Sequence, residues 1–159
     1  MSDKLPQVSV AQELARKIAA LKDVPPAVRV KCEDLLVDVV GLCVAARNED
    51  YVRATLAACD DDGPCTAIGH SRTLSAAGAA LVNGTAAHGE DFDDTFEGGP
   101  VHAGAVVVPA VLAACERHGR DGKAALLGIA MLVITFAVVL AVNRIPMFGG
   151  SAGAKLRNA

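Results

Sequence analysis

The chain has 159 residues, enough for one domain of ordinary size or for part of a larger one. A hydrophobic content of 52% and a charged content of 21% exclude a disordered chain. The net charge of −3, with no run of Lys or Arg, leaves no electrostatic footprint for nucleic acid. Aromatic residues make up only 3%, which removes base-stacking platforms and requires a core of Ala, Val and Leu.

In chain order, Ser9 followed by Gln12 reads as a capping box, and Val10, Leu14, Ile18 and Leu21 then share one helical face. Pro25-Pro26 ends that helix and opens the next. From Val28 to about Ala46 the residues Val28, Cys32, Leu35, Leu36, Val39, Val40 and Cys43 keep a 3.6-residue period. A short helix is expected over Tyr51 to Ala58. Asp60 to Pro64 reads as a solvated turn, followed by a short extended piece from Cys65 to Ile68. Thr73 to His88 is rich in Ala and expected to be helical, with Gly78 and Gly84 permitting close approach of a neighbouring helix. Glu90 to Pro100 reads as a loop. A helix is expected over Val106 to His118, with Pro109 near its start and Gly119 at its end, and Asp121 can cap another. Nothing reads as a sheet, so the expected class is all-α.

Ala124 to Val142 is nineteen residues without a charge. That length suits a membrane span or a helix buried on all sides within a larger fold. The preceding residues read as a soluble cytoplasmic domain, which argues against the membrane. The tail Gly149 to Ala159 is small and basic and reads as disordered. Five cysteines without CxxC spacing, behind an N-terminus with no signal pattern, read as free thiols in a reducing compartment.

The unusual stretch is Asn83 to Thr95. Five carboxylates, Glu90, Asp91, Asp93, Asp94 and Glu97, fall within eight residues, interleaved with Phe92 and Phe96. Ordering so many like charges is costly unless cations, hydrogen bonds or shifted pKa values compensate. The two phenylalanines are expected to anchor the loop in an apolar wall. A metal site built from His88, Asp91, Asp93 and Asp94 matches no EF-hand or zinc motif, and a bland acidic turn is the plain alternative. The favoured reading is an acid–base site in which Asp91 or Asp93 orients a histidine, His88 or His102. His118 reads as a cation at a helix C-terminus, and His70 as exposed.

Asn83-Gly84, Ala87-His88, Asp91-Phe92-Asp93-Asp94-Thr95, His102 and Pro109-Ala110 together resemble the N-terminal region of the MmgE/PrpD family, over roughly Val28 to Ala130. That family includes 2-methylcitrate dehydratase, cis-aconitate decarboxylase and iminodisuccinate epimerase. The resemblance implies part of a large helical domain over residues 1–130, followed by a divergent apolar helix and basic tail over 131–159. It also implies a cofactor-independent site without metal, a small di- or tricarboxylate substrate and a homodimer. Carried over by position, Asp91 and His102 are the catalytic residues, and Thr95, His88 and Asp93 contact the substrate.

Two departures stand out. The family's His-Pro is His102-Ala103 here, and the loop Phe96 to Val101 is long and glycine-rich. Misplacing a catalytic group by about 1 Å can cost a hundredfold in rate. The resemblance implies an α+β lid domain carrying a lysine and a further histidine, and this chain is expected to lack it. The expectation is therefore a truncated or frameshifted member with half an active site and no turnover of its own. A non-catalytic helical protein that self-associates or binds a partner is the alternative.

Overall fold

The computed structural model describes residues 9–20, 23–95 and 101–132. The elements run α1 (Val10–Ala20), α2 (Pro26–Ala46), α3 (Asp50–Ala58), β1 (Asp62–Thr66), β2 (Thr73–Leu74), α4 (Ala76–His88) and α5 (Ala103–Arg117). Residues 122–132 are helical again. The Ser9–Gln12 box forms in both directions, Ser9 N–H to Gln12 Oε1 at 3.3 Å and Gln12 N–H to Ser9 Oγ at 3.2 Å. The α1 side chains of Val10, Leu14 and Ile18, and all of Leu21, lie outside the described residues.

The core gathers around α4. Val82, Ala86 and Ala87 of α4 pack with Val39 and Cys43 of α2 and Val108 of α5 in one buried cluster. Close packing of α4 on α5 depends on Gly84, where a Cβ would stand 3.1 Å from the carbonyl oxygen of Ala105. Pro109 leaves that carbonyl without its usual N–H partner within the helix. It lies inside α5, seven residues from the start, and lacks the N–H that would bond the carbonyl four residues back. The helix begins at Ala103, earlier than its apolar periodicity indicates, because a carboxylate from outside the helix caps it.

The all-α expectation needs correction. β1 and β2 form a two-stranded antiparallel sheet, with Thr66 opposite Thr73 and a bulge between Asp62 and Cys65. Asp62-Gly63-Pro64, expected as a turn, belongs to β1, and Thr73-Leu74, expected as helix, forms β2. Helix α4 starts only after Ser75, whose hydroxyl accepts the Gly78 N–H at 3.1 Å. The strand is fixed by partners distant in sequence. Glu116 of α5 accepts the Thr66 N–H at 2.7 Å and its hydroxyl at 2.6 Å. Buried Asn83 donates to Thr66 O at 2.9 Å and accepts the Ile68 N–H at 2.8 Å.

Cys32, Cys43 and Cys65 are buried, and all five thiols are free. Burial pushes the Cys43 thiol up to about 11. His118 caps the C-terminus of α5, as expected. His70 is half-buried rather than exposed, and its Nε2 is enclosed without a hydrogen-bond partner. Among the described residues no helix is long and apolar enough to cross a membrane. Residues 133–142 of the apolar stretch, and the tail 149–159, lie outside the described residues.

Candidate active site

The C-terminus of α4 delivers His88, the N-terminus of α5 delivers His102, and the acidic turn runs between them. Asp91 is the one described non-glycine residue at positive φ (57°), a conformation that Asp tolerates better than most side chains. Its N–H bonds to His88 O at 3.0 Å, so the chain turns back immediately after α4. This turn reverses the expected burial. Phe92 is 78% exposed and anchors nothing, whereas Asp93 is buried with its carboxylate fully enclosed. Phe96 lies outside the described residues.

Asp93 stands between the two imidazoles. Its oxygens lie 3.1 and 3.2 Å from His88 Nδ1, within hydrogen-bond geometry. His102 Nδ1 is 3.2 Å from Asp93 Oδ1 but off the hydrogen-bonding direction, leaving this buried nitrogen without a hydrogen-bond partner. The opposite nitrogen of His102, Nε2, is 3.6 Å from Asp91 Oδ1. The two rings are tilted by 58° with centroids 4.7 Å apart. Thr95 is exposed beside them, its hydroxyl donating to Asp93 O at 3.4 Å.

The local surplus of negative charge is resolved one carboxylate at a time. Tyr51 donates its hydroxyl to Glu90 at 2.9 Å. Burial, and then Glu90, push the Tyr51 phenol up to about 12. Asp91 faces His102, and Asp93 faces both histidines. Asp94 accepts the Gly104 N–H at 2.7 Å at the positive end of α5. Glu97 lies outside the described residues. The pairing of Tyr51 with Glu90 and the capping of Gly104 by Asp94 are not legible in the sequence, because each contact joins residues ten or more positions apart and leaves no local spacing signal.

His88 and His102 open onto a cleft of about 810 Å³ between α4 and α5, lined also by Gly84, Thr85, Ala105 and Val106. No lysine or arginine lines it among the described residues. The cleft therefore offers two imidazoles in a largely apolar lining and, among the described residues, no permanent cation.

Two histidines thus meet a buried carboxylate beside an open cleft in a mostly helical domain. Residues 12–142 match the MmgE/PrpD N-terminal domain, and the chain belongs to that family. It is similar to the cis-aconitate decarboxylase-like protein oryM of Aspergillus oryzae, 27% identical over 128 residues, covering 77% of this chain and 27% of that protein. It is also similar to cis-aconitate decarboxylase of Aspergillus terreus, 32% identical over 108 residues, covering 65% of this chain and 22% of that protein. The chain thus spans about a quarter of the length of the curated relatives it matches. No solved structure matches it.

Proposed function

We propose that this chain supplies the helical-domain half of a cofactor-independent lyase site acting on a small di- or tricarboxylate. The observation that carries the reading is the Asp91–His102–Asp93 arrangement, with one imidazole nitrogen facing an exposed carboxylate and the other facing a buried one. Asp93 lies behind the ring, and Nε2 of His102, paired with Asp91, exchanges the proton. In dehydration, a proton leaves the carbon beside a carboxylate and water is lost. In decarboxylation, the bond to the carboxylate breaks, carbon dioxide leaves, and the electron pair left on carbon takes a proton from the histidine.

Thr95 and His88 are the substrate-contacting groups of this reading, since both are exposed beside His102. Asp93, assigned to substrate contact by the resemblance, serves better as an orienting group, because its enclosed carboxylate repels an anionic substrate. Substrate carboxylates need cations that the described lining of the cleft does not hold, and in this reading the other half of the site supplies them. A homodimer in the cytoplasm completes the reading, and free thiols suit that compartment.

Two measurements test this. The 159-residue chain is expected to show no turnover of cis-aconitate or 2-methylcitrate, and clear turnover overturns the half-site assignment. Residues 12–142 exchanged into the Aspergillus terreus decarboxylase should give a chimera that loses activity with His102→Gln or Asp91→Asn. A chimera indifferent to both substitutions overturns the catalytic assignment.

One observation favours the alternative of a non-catalytic, self-associating protein. Val30, Val37 and Val44 are 53%, 73% and 43% exposed and recur every seven residues along α2, forming an apolar stripe. Sedimentation as a concentration-independent monomer counts against that alternative.

A further inference from the structure

The cluster that serves proton transfer also has the composition of a transition-metal site. His88, Asp91, Asp93 and His102 each offer one ligand atom, and these atoms all lie within 4.8 Å of one another. Zinc bonds of about 2.0–2.2 Å to nitrogen and oxygen set tetrahedral edges of about 3.3–3.6 Å. The separations of 3.1 Å from His88 Nδ1 and 3.2 Å from His102 Nδ1 to Asp93 Oδ1 approach those edges, whereas Asp91, 3.6 Å from the opposite nitrogen of His102, has to swing round to reach the same ion. Asp91 and His88 have side chains 80% and 54% exposed, so both are free to close the remaining gap.

Two further observations point to a cation. Asp93 has a fully enclosed carboxylate, yet among the described residues no lysine or arginine pairs with it. His102 Nδ1 is buried beside that carboxylate and has no hydrogen-bond partner. A buried anion and an unsatisfied imidazole nitrogen are both satisfied by a shared metal ion.

We propose that His88, Asp91, Asp93 and His102 bind one divalent first-row transition ion, zinc by preference. Two imidazoles and two carboxylates form a thiolate-free set whose negative charge a divalent ion neutralises, and it suits zinc or cobalt better than magnesium or calcium, which prefer all-oxygen cages. A bound ion occupies the imidazole lone pairs and so blocks proton transfer at His102. Zinc is then an inhibitor of the site, competing with protons and substrate. The proposal stands without the acid–base reading, because occupancy is read by spectroscopy and not by turnover.

The experiment is a titration of the full 159-residue chain with cobalt(II) chloride, followed by displacement with zinc chloride. One equivalent of cobalt is expected to give the visible bands of a tetrahedral nitrogen–oxygen site, without a thiolate charge-transfer band, and zinc should abolish them. Asp91→Asn and His88→Gln, at exposed positions, should each weaken cobalt binding by about tenfold or more while the far-ultraviolet circular dichroism is retained. The absence of saturable binding overturns the proposal. A thiolate band, which places the ion on the cysteines, also overturns it, as does unchanged affinity in either variant.

Discussion

Asp94 caps α5 from ten residues away, its Oδ1 accepting the Gly104 N–H at 2.7 Å. A Cβ at position 104 would collide with that same oxygen and stand 2.7 Å from Leu35 Cδ1, so the cap and the glycine form one device. The device holds His102, the N-cap residue of α5, at the mouth of the cleft.

Removing this cap should therefore act on stability and on the site together. Asp94→Ala is expected to cost about 1–2 kcal/mol, and Asp94→Asn much less, since Asn also accepts a helix N–H. Urea unfolding followed by far-ultraviolet circular dichroism measures both. Equal losses for the two variants would show that charge, rather than the hydrogen bond, is what matters.

Asp93 is the enclosed partner of two imidazoles. Asp93→Ala removes the acceptor of His88 Nδ1 and the carboxylate beside His102, and is expected to destabilise the chain by roughly 1–3 kcal/mol. Nitrogen-15 spectra of the imidazoles provide a second readout. Hydrogen bonding to Asp93 requires the proton on His88 Nδ1, whereas the variant should release His88 to the Nε2–H tautomer. An unchanged tautomer in the variant removes the orienting role.

Gly84 sets the distance between α4 and α5. Replacing it with Val puts branched methyls against the Ala105 carbonyl and should cost about 1–3 kcal/mol by overpacking. The same substitution should shift the His88 and His102 resonances, because the two helices carry one histidine each. Stability loss without any effect on the histidines would uncouple the packing from the site.

Tyr51 is the only tyrosine and the chain has no tryptophan, so its absorbance reports one group. Its phenol should titrate near 12 rather than the ordinary 10, and Glu90→Gln should bring it down. A folded-state pKa above the unfolded value means that the stabilising contribution is complete below about pH 10 and is lost as the pH rises through about 12. The metal-free chain should therefore lose stability over that window, and Tyr51→Phe should flatten the loss. A midpoint at 10 in the native chain would show that Tyr51 is not packed on the turn after α4.

Local sequence determined the helices wherever one side of the chain had to be apolar at a 3.6-residue period, and their ends wherever the cap was a neighbour. The Ser9–Gln12 box and the Asp121 cap, which accepts the Ala124 N–H at 3.0 Å, are legible because donor and acceptor are three residues apart, and the Pro26 start of α2 because proline suits a first helical turn by itself. The motif from Asn83 to Thr95, with His102, was likewise enough to identify the family. Tertiary structure decided what depended on distant partners. Asp62-Gly63-Pro64 has poor strand propensity and became β1 because α4 and α5 supply Asn83 and Glu116 to its end. Phe92 went to solvent and Asp93 inward, against hydrophobicity, because a left-handed turn at Asp91 returned the carboxylate to two imidazoles that only the packing of α4 on α5 brings together. Burying that charge was favourable only once both histidines were in place, and their spacing along the chain carries no sign of it.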